Sequence, residues 1–151
     1  MEITSADDDD LAAGATLLGS GGGGDTAIVA SMLRHALTQH GAAPLIKAGD
    51  LADDALVVPI AATGSITCLI ERLPTGAEFV AAITAAGQHR GDPVAAAHGF
   101  QIGGANALIA VAAAAWSGLP LVDADGMGRA YPAVDQVTFR RIRVGASQVF
   151  D

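Results

Sequence analysis

Amphipathic helical patterns in this chain are interleaved with apolar runs too short to be helices, and that alternation restricts the folds open to it. Thr26 to His40 carries apolar residues at Ile28, Val29, Met32, Leu33, Ala36 and Leu37, spacings of three and four that make one helix face. Gly41 closes that helix. Leu11 to Leu18 forms a shorter helix behind the acidic run Asp7 to Asp10, whose charges suit a helix N-terminus. Ala77 to Gln88 and Ala105 to Ser117 repeat the helical pattern. Pro44 to Lys47, Ala55 to Ile60, Pro93 to Ala97, Leu119 to Val122 and Gln136 to Val144 read as strands. The Ala55 to Ile60 run is apolar on both sides, so an internal position in the sheet is expected for it. Together these elements predict an α/β fold, a mainly parallel or mixed sheet with flanking helices in a single domain over residues 1–151. Ligands are expected at the carboxyl ends of the strands.

With 151 residues, 51% of them hydrophobic, the chain can bury a substantial core, yet only 4% are aromatic. Alanine and glycine dominate instead, so close approach of backbones must do much of the packing. A net charge of −8 argues against nucleic acid or an anionic membrane surface as partner, since both reward clustered Lys and Arg. The basic cluster Arg140, Arg141 and Arg143 is small and suits a solvated strand or an interface. Cys68 is the only cysteine, which excludes an internal disulfide and fits a reducing, cytoplasmic location. The acidic N-terminus lacks the basic and apolar regions of a signal peptide, and the apolar run Ala105 to Trp116 is too short for a membrane span.

Chemistry-bearing residues concentrate in three loops. Val122 to Pro132 gathers Asp123, Asp125, Gly126, Met127, Gly128 and Arg129 just after an apolar run, which reads as a strand delivering charge to a binding loop. In the alternative, Asp123 and Asp125 bond their own backbone in an Asx-turn. Gly19 to Gly24 satisfies the dinucleotide pattern G-x-G-x-x-G but follows a helical rather than a strand pattern, and no P-loop Lys-Ser or Lys-Thr comes after it. No nicotinamide or flavin is therefore expected. The amides of Gly22, Gly23 and Gly24, with Asp25, suit an anion or carbonyl group; alternatively Asp25 caps the next helix. Gly103, Gly104 and Asn106 open a helix, where backbone and side-chain donors suit an oxyanion, or where Asn106 is a first-turn cap. Glu71 and Gln101 add polar groups at neighbouring loops, although Glu71 also suits pairing with Arg72 or exposure to water. A divalent metal stays open, with His98, Asp123 and Asp125 as weak candidates, because no H-x-x-x-H or C-x-x-C spacing supports one. No G-x-S-x-G motif and no cysteine beside a base supports covalent hydrolysis.

Taken in order, Leu17 to Asp25, Ile102-Gly103-Gly104-Ala105-Asn106 and Val122 to Pro132 resemble the DUF917 family, described as S-methyl-thiohydantoin desulfurase-like or hydantoin-utilisation proteins. Leu56 to Pro59 and Glu71 to Gly76 are similar to that family's intervening segments. The resemblance implies the N-terminal α/β domain of a longer enzyme, with the family's second domain following the equivalent of Phe139. Three departures stand out: Gln101 where Glu usually precedes Ile-Gly-Gly, Tyr131 where Phe is usual, and Ala133 where an acid often follows. The function implied is hydrolysis of a hydantoin-like ring, with Asp123 or Asp125 activating water and the Gly103 and Gly104 amides, Asn106 or Arg129 steadying negative charge. The alternative is a noncatalytic small-molecule-binding or assembly subunit completed by a partner chain, and a gene fragment is a third reading. The family's second domain is expected to be absent here, which would leave an apolar face to cover, so a homo-oligomer or a partner chain carrying that domain is expected.

Overall fold

The computed structural model describes residues 1–64 and 71–138. Cys68, the Arg140 to Arg143 cluster and most of the strand expected over Gln136 to Val144 lie outside the described residues. The described elements run β1 (Glu2–Ile3), α1 (Asp8–Gly19), α2 (Thr26–His40), β2 (Ala43–Ile46), β3 (Leu56–Ile60), α3 (Ala77–Arg90), β4 (Val94–Gly99), α4 (Ala105–Ser117) and β5 (Leu121–Asp125). Short 3₁₀ turns occupy Ala48–Asp50 and Val134–Gln136, the second falling where the final strand was expected to begin. The sheet order is β1-β2-β5-β4-β3, parallel throughout except for β1, which pairs antiparallel with β2. This mixed sheet with flanking helices agrees with the α/β expectation, although β1 carries no signal in a two-residue segment.

The position of β3 differs from expectation. Among the described residues it pairs with β4 alone and forms a sheet edge. Val58 and Ile60 pack on the core, whereas Pro59 is exposed on the opposite face. A proline lacks the N–H that a second neighbouring strand would use, so it belongs at an edge. Apolar residues on both faces do not by themselves make a strand central.

α4 is the pillar of the domain. Ala105, Asn106 and every residue from Leu108 to Ala115 are buried, because a helix made mostly of alanine is narrow enough to be enclosed on all sides. It touches β2, β3, β4 and β5 and also packs against α1, α2 and α3. The α2 stripe of Val29, Met32, Leu33, Ala36 and Leu37 is buried, and α4 is its most extensive helix partner. α1 starts at Asp8, three residues before the expected Leu11, and so draws the acids Asp8, Asp9 and Asp10 into its first turn. Asp8 is buried and bonds the Arg34 guanidinium of α2, which also reaches Asp9 at 3.1 Å. Arg34 holds the Asp8 carboxyl below the usual carboxylate range.

At the far end of α4 the Trp116 indole stacks on Phe79 of α3, with ring centroids 5.9 Å apart and planes 12° from parallel. Gly76, at φ +97°, lies against that indole, and a Cβ there would come within 2.5 Å of Trp116 Cδ2. Gly76→Ala is therefore expected to cost about 2–4 kcal/mol, because it combines left-handed strain with overpacking. Gly91→Ala, at φ +78° with open space around it, should cost only about 1 kcal/mol. Urea denaturation of both variants checks the contrast.

Candidate functional site

A cleft of about 840 Å³ opens at the carboxyl ends of β3, β4 and β5. Its walls are the segments that leave those strands: Ala61 to Gly64 after β3, Phe100 and Gln101 after β4, and Met127 with Ala130 to Val134 after β5. The glycine loop Gly22 to Gly24 and the first turn of α4 complete it, with Ala105, Asn106 and Ile109, and Arg72 stands at its rim. Parallel strands converge these loops because all their carboxyl ends lie on one side of the sheet.

The joint between the glycine loop and α4 is backbone against backbone. The Ala105 amide donates to Gly23 O at 2.8 Å, and the Gly104 amide donates to Ala15 O at 2.8 Å. The Gly104 amide is thus committed to α1, and neither Gly103 nor Gly104 reaches the cleft wall. Their contribution is closeness: a Cβ on Gly103 would meet Ala130 N at 2.5 Å, and one on Gly104 would meet Gly23 O at 2.4 Å. Thr16 and Thr26 hydroxyls, 2.6 Å apart, tie the two helices across the same loop. Asp25 accepts from Ala27 N at 2.8 Å as the N-cap of α2, the alternative reading of that residue.

Asp125 also takes the turn geometry. Its Oδ2 accepts the amides of Met127 at 3.1 Å and Gly128 at 2.7 Å, and that of Ile102 at 3.0 Å. One carboxylate oxygen thereby fastens the loop after β5 to the loop after β4. Asp123 is exposed, and neither it nor Asp125 lines the cleft; Gly126 and Glu71 also lie outside its wall. Arg129 stands over the Tyr131 ring, 5.5 Å from its centroid, and reaches the cleft only through that ring. Gly22, Gly23, Gly24, Gln101, Asn106 and Met127 are brought together in the wall.

Asn106 is buried at 8% exposure, and its Oδ1 accepts Ala62 N at 2.7 Å, so the carboxamide bridges α4 to the loop after β3 and does not cap its own helix. Gln101, 5% exposed, accepts Tyr131 N through Oε1 in a long contact of 3.4 Å. Of the pair Glu71 and Arg72, which the sequence offers as polar residues of one loop, Arg72 lines the wall and Glu71 does not. Sequence reasoning passed over Phe100, Thr63 and Tyr131 as wall residues, although Tyr131 was legible as part of the Val122 to Pro132 stretch.

His98 lies behind the cleft on β4. Its Nδ1 sits 2.8 Å from Gly99 O, which requires Nδ1 to carry a proton. Burial lowers its pKa, against the opposing pulls of the Gly99 carbonyl and the Asp125 charge. The unfolded chain then binds a proton that the folded chain still refuses, so stability falls as pH drops from about 6.5 towards the depressed folded value. Thermal melts between pH 5 and pH 7.5 are expected to show a shallower decline in His98→Gln than in the parent. Among the described residues no group of three His, Cys, Asp or Glu side chains comes together to hold a metal, and His98, Asp123 and Asp125 do not form one. None of the described helices is long and apolar enough to cross a membrane.

The fold has a solved relative. The chain is similar to a protein from Chromobacterium violaceum solved by X-ray crystallography, with a TM-score of 0.72 and 26% sequence identity over 92% of this chain. It spans 38% of that protein's length. A search of curated proteins finds no match to the sequence. The family described as S-Me-THD-like, N-terminal domain, matches residues 6–149. That match takes in every wall of the cleft, and the chain belongs to the S-Me-THD-like N-terminal domain family.

Proposed function

We propose that this domain binds a hydantoin-like ring in the cleft at the strand ends and orients it for hydrolytic removal of a sulfur substituent. The observation that carries the reading is the union of the glycine loop, the α4 N-terminus and the loop after β5, the three family motifs, in one cleft wall. A volume of about 840 Å³ suits a small substituted ring. In the reaction, water adds to the ring carbon bearing the S-methyl group and the C–S bond breaks. One proton of the water leaves on the thiol and the other goes to the ring nitrogen, so a ring carbonyl and an N–H take the place of the C–S bond and the C=N bond. Donors in the wall steady the charge that develops on the ring.

The described cleft wall contains no carboxylate, and Asp125 has one oxygen fully engaged by backbone amides. This favours the reading in which the water-activating group comes from a partner chain or a further domain and this domain supplies binding. Purified chain is tested with S-methyl-thiohydantoins for thermal stabilisation and thiol release. Stabilisation without thiol release is the expected result. Thiol release by the chain alone that disappears in Asp125→Asn, with the melting temperature kept, would instead make this an autonomous enzyme with Asp125 as its base. A failure of any hydantoin to bind would remove the proposal.

A further inference from the structure

The amide and charged side chains of the cleft present donors. In a chain with a net charge of −8, the described wall carries no Asp or Glu, and its one formal charge is the Arg72 guanidinium, which makes no ion pair among the described residues. The Asn106 carboxamide is fixed in orientation, because its Oδ1 takes the Ala62 amide at 2.7 Å. Its Nδ2 must then point the other way, as a pure donor. No group among the described residues accepts from Nδ2, and no buried side-chain nitrogen or oxygen is without a partner, so this donor reaches the open cleft from a side chain only 8% exposed. Gln101 repeats the arrangement more loosely, with Oε1 towards Tyr131 N and Nε2 left to donate. The positive end of α4 lies behind both.

Directed amide donors, a cation at the rim and no acid in the wall favour a ligand that presents a negative acceptor edge. We infer that the cleft takes its ligand as an anion, a five-membered-ring compound carrying a carboxylate or comparable acceptor edge. Asn106 Nδ2 is the specificity-determining donor and Arg72 the counter-charge, while Phe100, Ile109 and Tyr131 face the apolar part. This rests on the ring-binding reading above and adds the charge of the ligand to it. A carboxylate gives the Asn106 donor a charge-assisted partner, whereas a neutral carboxamide offers only a weaker carbonyl acceptor and no charge for Arg72, and that difference is where discrimination arises.

The test is calorimetric titration of the chain with hydantoin-5-acetate, its neutral amide hydantoin-5-acetamide, and the ringless dicarboxylate succinate. Hydantoin-5-acetate is expected to bind at least ten-fold more tightly than the amide. Asn106→Asp keeps an oxygen for the Ala62 amide but replaces the donor with a negative acceptor, so it should lose at least ten-fold for the acetate and little for the amide. Arg72→Gln, a surface change, should narrow the preference without lowering the melting temperature. If Asn106→Asp unfolds the chain, the Arg72→Gln titration alone carries the test. Equal binding of acetate and amide would overturn the anion inference while leaving ring binding intact. Succinate binding as tightly as the acetate, with the same Arg72 dependence, would keep the anion inference and remove the hydantoin reading. No binding by any of the three would overturn the inference.

Discussion

Gly104→Ala is expected to yield no stably folded domain, or one weakened by more than about 4 kcal/mol. Two independent penalties coincide at this position. The residue has φ +71° and ψ −158°, a region that only glycine adopts without strain. A Cβ there would also fall 2.4 Å from Gly23 O and 2.6 Å from Gly23 Cα, and these are backbone atoms that no rotamer change can move aside. Separating the strands of chain would in turn break the Ala105 amide bond to Gly23 O and the Gly104 amide bond to Ala15 O. Gly118→Ala provides the control, since Gly118 has φ +68° but nothing near its would-be Cβ. It should lose only about 1 kcal/mol. Circular dichroism and urea midpoints of the two variants measure the difference, and near-equal stability would overturn the steric role of the contact between Gly104 and Gly23.

Asp125→Ala is expected to destabilise the domain by about 3 kcal/mol, because three amides lose a charged acceptor at once and two separate loops lose their fastening. Asp125→Asn keeps an oxygen that can accept from the same amides and should cost roughly half as much. Hydantoin binding to Asp125→Asn should persist, since Asp125 does not line the cleft. Denaturation and titration of the same two proteins separate a fastening role from a catalytic one. A variant with unchanged stability and abolished turnover would return Asp125 to the chemistry.

The helices α2 and α4 were legible to the residue, because their apolar spacings are long and their ends carry glycine. β1 was not, since two residues hold no periodicity and its pairing with Ala43 and Pro44 is a tertiary fact. Pro59 did carry the edge position of β3, but the surrounding valines and isoleucine masked it. At the candidate site, composition singled out loops that line the cleft without distinguishing which of their side chains face it. Asp123 and Asp125 drew attention as charges, yet Asp125 serves the backbone, while the neutral Asn106 and Gln101 occupy the wall. The sequence shows that an amide side chain is present; only the Ala62 contact shows which of its ends is free.

Gly23, Gly103 and Ala130 meet at one point although they belong to three distant segments of the chain. The cleft therefore has no local precursor: loop-closure entropy must be overcome across most of the domain before any wall stands opposite another. Ligand recognition becomes a property of the completed domain, and local opening at any of the three segments dissolves the site as a whole. A ligand that binds only the finished cleft will draw the entire folding equilibrium towards the native state in proportion to its concentration.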